Sequence, residues 1–284
     1  TNPGSYCVVM PLMGVAFSNG ITIAASNVKL DLNGFPITGV TNSLCGVRIE
    51  PMSGNIVVRD GVICNWNQFG LVATNTKDVV VSDIKAYGNF YGGLYTGMNS
   101  LITKCGVYNN GLSAPPVDPP WTDGIQAGDY STIADCKAMY NRGAGIHAYN
   151  HSKVTGCTAT ESWDANGIWA EDYSTIRDCT AAKNASDGIR VGNYCRVVGN
   201  TCGQNGLAKP GSAEAGIMVN GSNNLIEDNI VIDTGSAGFF THYGRDNLVR
   251  NNIFALAGAD PICLGKLEKH RSTVADVVFS LRAL

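Results

Sequence analysis

His147, Trp169 and Arg190 each follow a glycine by two residues, and they stand 22 and 21 residues apart. An imidazole, an indole and a guanidinium recurring at one phase can supply a proton-transfer group, an apolar surface and a fixed positive charge. Tyr149 and Glu171 recur two residues further along, while Asp164 and Arg142 share the position three before a glycine. His147, Glu171, Arg190 and Asp164 are therefore the expected catalytic groups. Trp169, Gln126, Tyr149 and Tyr95, from the same outward columns, are expected to contact substrate. So are Asp123 and Asp187, immediately before their glycines, and Arg142, Trp163 and Lys183 on the neighbouring turns. Asp-Gly is also an ordinary turn dipeptide, which accounts equally well for Asp123 and Asp187.

These groups need an element that repeats. Ten times a glycine is followed at once by an apolar residue, from Gly20-Ile21 to Gly238-Phe239, at intervals of 21 to 31 residues. Self-similarity at such a period marks a solenoid, in which each unit buries its apolar face against its neighbours. Within a copy, Ile-x-Ala alternates with the period of a half-buried strand. A second short run (Thr132-Ile133, Lys153-Val154, Thr175-Ile176) and a third after Cys136, Cys157 and Cys179 leave no room for a helix. The expected fold is all-β: a single-stranded, right-handed parallel β-helix of about ten coils, the hand following from the preference of parallel crossovers. One domain is expected, with coils over 18–257 and an N-terminal cap over 1–17. Residues 258–284 would form a C-terminal cap or tail, since Leu267, Val274, Val277, Val278 and Leu281 fall at roughly helical spacing.

Cysteine usage follows the same period. Cys105, Cys136, Cys157 and Cys179 share one position, which Asn200, Asn229 and Asn252 hold in the following copies. Stacked coils about 4.8 Å apart would place these side chains in a buried ladder of reduced thiols and amides. No cysteine or histidine spacing fits zinc. His151 falls in phase with Tyr130, Tyr173 and Tyr194, which predicts an exposed stack of rings. No cofactor is expected. The alternative is calcium held by Asp129, Glu171 and Asp172, since hard cations take several oxygens.

Charged residues make up 15% of the 284, and the net charge is −3. No basic stripe exists for nucleic acid, and no run of 18 apolar residues for a membrane span. The composition is poor in charge and rich in Asn, Gly, Ser and Thr, and it leaves the oligomeric state open.

The two longest intervals carry their excess at one phase, over 111–123 and 206–215. Insertions at one phase project from one face, so they predict two walls of a groove whose floor is the column of Gln126, His147, Trp169 and Arg190. Three to four rungs would give roughly 14–19 Å of floor, enough for a few sugar rings. An aromatic beside fixed polar groups suits a polysaccharide or oligosaccharide partner.

The Gly-Ile repeat, the three short strands per copy and the Cys/Asn ladder resemble the pectin-lyase-like right-handed parallel β-helix proteins, from about Ser18 to Phe254. The resemblance implies a secreted or cell-surface protein, of bacterial type, and carbohydrate-active chemistry: lyases, hydrolases and uronate C5-epimerases share the scaffold. Neither the clustered aspartates with Gly-His-Gly nor an Asp-Pro-His-Asp motif occurs in this chain, so no catalytic residue carries over by motif. The expected function is a lyase or hydrolase of acidic, uronate-containing glycans. In a lyase, His147 or Tyr149 would move the proton and Arg190, with Arg142 or Lys183, would steady the charge; in a hydrolase the pair would come from Asp164, Glu171 and Asp187. The alternative is a non-catalytic sugar-binding, adhesin or spike-like protein.

Overall fold

A computed structural model describes residues 2–111, 122–207, 214–241, 244–255, 262–264, 273–275 and 278–280. They fall into two compact units, residues 1–143 and 144–284. All regular structure among the described residues is β, and the ladders within each unit are parallel.

The second unit shows the coil in its simplest form. Strands come in triplets, such as Ile146–Ala148, Lys153–Thr155 and Thr158–Thr160, followed by Ile168–Ala170, Thr175–Arg177 and Thr180–Ala182. Each strand pairs with its counterpart one period later, as in Ile146↔Ile168 and Ile168↔Ile189. Ile146, Ala148, Ile168, Ala170 and Ile189 are fully buried, which is the inward half of the Ile-x-Ala alternation. The outward half carries the polar residues. A glycine precedes each triplet because the turn there packs on the next coil: a Cβ on Gly188 would lie 2.6 Å from the carbonyl oxygen of Gly216.

The corners are held by side-chain ladders. Cys157 N–H donates to Cys179 Sγ at 3.4 Å, and Cys179 N–H donates to Asn200 Oδ1 at 2.9 Å. Asn200 and Asn229 continue the series, each donating its side-chain amide to the next Oδ1 at 2.9 Å. Cys105, Cys136, Cys157 and Cys179 are free and buried, as the period predicts. The hydrogen bond to Cys157, together with burial, pushes the Cys179 thiol well above its ordinary range, so it stays protonated. A second ladder runs through Asn184 and Asn205, and a third through Cys195, Asn224 and Asn247. His151, Tyr173 and Tyr194 form the expected ring stack, with centroids 4.8 Å apart at both steps.

The first unit uses the same coil with longer, bent strands, Gly54–Cys64 and Leu71–Tyr87. One expectation changes, at the far end. The segment 1–17 stands at the N-terminal edge of the coils. Gly4–Cys7 pairs with Val28–Asp31 and Leu12–Met13 with Ile37–Thr38, so the segment is itself the edge coil, and Val9, Met13 and Phe17 are exposed. At the other end the repeat does not stop at Gly258. Ile262–Leu264, Thr273–Ala275 and Val278–Ser280 pair in register with the preceding coil, where helical spacing was expected. Val274 and Val278 are four apart because two short strands follow one another; Leu267, Val277 and Leu281 lie outside the described residues.

Candidate functional site

Register His147↔Trp169↔Arg190 places three outward side chains of the second unit on consecutive rungs. The rung spacing of about 4.8 Å is close to the distance at which planar groups stack. His147 and Trp169 are parallel, with centroids 4.1 Å apart and planes 5° from each other. The Arg190 guanidinium carbon lies 5.6 Å from the indole centroid. Tyr149 stacks on His147 at 4.8 Å. Both faces of the Trp169 ring are thus covered from within the chain. The platform expected for a sugar is already filled, and the indole offers its edge.

A second column, four residues after each glycine, supports the first along the diagonal. His147 Nε2 lies 3.4 Å from Oε1 of Glu171, one coil on, where the imidazole N–H donates to the carboxylate. Arg190 repeats the pattern: with its amide oxygen turned toward the guanidinium, Asn220 accepts from Nε at 2.8 Å and from Nη2 at 2.5 Å. The diagonal partner of Trp169 is Gly192, which has no side chain and packs against the Asp172 carboxylate. Asp172 is in turn occupied, since Asn193 donates to it from its backbone N–H at 2.7 Å and from its amide at 3.1 and 3.2 Å. Among the described residues no group of three or more His, Cys, Asp and Glu is placed to hold a metal.

His147 is only 6% exposed, whereas Trp169, Glu171, Arg190 and Tyr149 are half-buried and reach the surface. Asp187, just before Gly188, is 2% exposed. Its backbone N–H donates to Asn166 Oδ1 at 3.1 Å, and its own Oδ1 accepts from Ala215 N–H at 2.8 Å. Burial pushes its carboxyl up to about 6, against the lowering by the Ala215 N–H and the Arg190 charge, and Glu214 adds to the rise. The column continues through Met218, which is buried with Ala215 and Ala237, to the partly buried Phe240 and Cys263.

Asp164, Trp163 and Lys183 sit on exposed turns. In the first unit Tyr95, expected on a polar floor, is 1% exposed and packs with Cys45, Val72 and Phe69. Its hydroxyl accepts from the Asp123 N–H at 3.3 Å, so it is a core residue. Asp123 and Gln126 are buried as well, and Arg142 is half-buried. The walls of the expected groove, 112–121 and 208–213, lie outside the described residues. Sequence reasoning missed Asn220 and Glu214. Asn220 continues the column of Tyr149, Glu171 and Gly192 by one rung. Glu214 has no such signal, because it lies within the 206–215 insertion.

The description "right handed beta helix region" matches residues 15–159 and 152–279. The chain belongs to the right-handed β-helix family. No curated protein matches this β-helix chain in sequence. Solved structures share its fold at low identity. The A-module of a mannuronan C-5 epimerase from Azotobacter vinelandii has a TM-score of 0.63 at 14% identity, covering 98% of this chain and 89% of that one. DFA-IIIase from Arthrobacter chlorophenolicus, solved without its lid in complex with GF2, has a TM-score of 0.63 at 12% identity, covering 99% and 87%. An E. coli bacteriophage tailspike protein, solved with a pentasaccharide, has a TM-score of 0.66 at 14% identity, covering 99% and 60%. These neighbours are carbohydrate-acting β-helix proteins. At such identities the likeness is one of fold. No helix of the described residues is long and apolar enough to cross a membrane.

Proposed function

We propose that this β-helix protein cleaves an acidic, uronate-containing polysaccharide outside the cell, at the face of the second unit built on His147, Trp169 and Arg190. The observation that carries the reading is the way Arg190 is held. A guanidinium lies on an indole backed by an imidazole, with Asn220 fixing two of its N–H groups, so the cation stands in one orientation at a partly open surface. A preorganised cation of this kind suits a sugar carboxylate in the ground state or developing charge in the transition state. Glu171, oriented by His147, adds a carboxylate on the same face that can accept from sugar hydroxyls or take a proton. The carbohydrate-acting β-helix neighbours support the substrate class.

The test is a screen of the chain against uronate and neutral polysaccharides, following both the absorbance of unsaturated products and new reducing ends. Unsaturated products identify a lyase, and reducing ends without them a hydrolase. Arg190→Ala should abolish most of the turnover of the acidic substrate so found. Binding without any cleavage would make the face a sugar-binding module, and preference for neutral polymers would contradict the role of Arg190.

A further inference from the structure

We propose that Asp187 and Glu214 are the proton-transfer pair for hydrolysis of a glycosidic bond beside Arg190, Asp187 as general acid and Glu214 as general base. The inference rests on the acidic-glycan reading and deepens it by naming the reaction and its residues.

The argument starts from what the fold requires at position 187. One coil earlier the same position is Asn166, whose Oδ1 accepts the N–H of Asp187. Asp187 does the same service for Ala215. The ladder asks for one acceptor oxygen, and an amide supplies it without any charge to desolvate. A carboxyl in this position is surplus to the fold and unfavourable in it, because burial disfavours its ionised form. The consequence is a carboxylic acid that keeps its proton to near-neutral pH, which a general acid needs. The groups that bear on it are the Asn166 amide, the Ala215 N–H, the Arg190 guanidinium and the Glu214 carboxylate.

Glu214 gives the second, independent observation. Its Oε2 is buried and has no hydrogen-bond partner among the described residues. A buried carboxylate oxygen without a donor is strongly unfavourable, so it calls for one: a bound water or a sugar hydroxyl. Glu214 directly precedes Ala215, whose N–H binds Asp187, and both Glu214 and Arg190 bear on the Asp187 charge.

In the step, Asp187 gives its proton to the glycosidic oxygen as the bond from that oxygen to the anomeric carbon breaks. Water oxygen forms the new bond to the anomeric carbon, and Glu214 takes the proton that water loses. One water is consumed, two hydroxyl groups appear, and proton exchange with solvent restores both carboxyls. Arg190 holds the carboxylate of the adjoining uronate.

The experiment uses the full chain and the variants Asp187→Asn, Glu214→Gln and Arg190→Ala, with polygalacturonate, alginate and the trisaccharides derived from them as probes. Asp187→Asn should fold, since asparagine keeps the ladder acceptor. Release of reducing ends should fall roughly a hundredfold or more in each carboxyl variant, while trisaccharide binding changes less than about twofold. Independently of activity, the wild-type melting temperature should decline between about pH 4 and pH 6, a decline missing in Asp187→Asn. Wild-type turnover by Asp187→Asn, unsaturated products from the wild type, a wild type that binds without cleaving, or identical pH–stability profiles would overturn the pair. If Arg190→Ala loses binding while Asp187→Asn keeps turnover, only the pair falls. If no acidic probe binds, or if Arg190→Ala also behaves as wild type, the glycan reading itself fails.

Discussion

Two stretches of this chain place residues at the same phase and make opposite use of them. In the first unit Val72 and Tyr95 occupy the position two after the glycine, and in the second unit Trp169 and Arg190 occupy it. The difference arises at the turn just before. Phe69 stands there in the first unit, its ring centroid 4.8 Å from that of Tyr95, and together with Cys45 it turns the outward column into a second small core. Asn166 and Asp187 stand there in the second unit; they ladder along the backbone and leave the neighbouring column half open. A repeat fixes where a side chain points, and the residue at the adjacent turn decides whether it meets protein or water.

The comparison can be broken by substitution. Tyr95→Ala should cost about 3–5 kcal/mol of stability, as a buried aromatic removed from a packed cluster does, measured by denaturant unfolding. A cost below about 1 kcal/mol would show that the first column is no core. Asp187 comes next. Its folded value of about 6 stands above the ordinary 3.8, so the stability it contributes is fully present below about pH 4 and is lost as pH rises to about 6. The loss should be on the order of 2–3 kcal/mol and vanish in Asp187→Asn. Trp169→Ala should cost less, roughly 1–2 kcal/mol, because the half-buried indole is stacked between His147 and Arg190 without being enclosed. The same variant should weaken glycan binding by loosening Arg190, and a wild-type affinity would mean that the guanidinium is held by Asn220 alone. The smallest effect belongs to the ring stack at the corner. Tyr173 has a φ of 58°, a conformation that glycine adopts freely. Tyr173→Gly trades a ring stack for relief of that strain and should change stability by less than about 1 kcal/mol.

Much of this was legible in the sequence, for a physical reason. Residues that stack on themselves every 21 or 22 positions reveal their own neighbours, so the Cys157, Cys179 and Asn200 ladder and the His151, Tyr173 and Tyr194 stack could be read from phase. The pairing of His147, Trp169 and Arg190 followed in the same way. Burial was less legible. Tyr95 looked like a floor residue because its cover, Phe69, comes from a different column one coil earlier. Filling of the Trp169 faces was equally hidden, since phase gives order along the stack and not its tightness. Glu214 escaped because it belongs to the 206–215 insertion, where no repeat position exists to compare it with. The strands beyond residue 258 escaped because two strands of three residues place apolar side chains at helix-like intervals.

The most direct test of the central claim, an acidic-glycan site on the second unit's open column, is a calorimetric titration of a uronate trisaccharide and its neutral counterpart into the wild type and Arg190→Ala. The account predicts that the wild type binds the acidic trisaccharide, that Arg190→Ala loses roughly tenfold or more of that affinity, and that the neutral sugar responds little to the change. Equal affinity of the two proteins for the acidic trisaccharide would contradict it and move the site off this face.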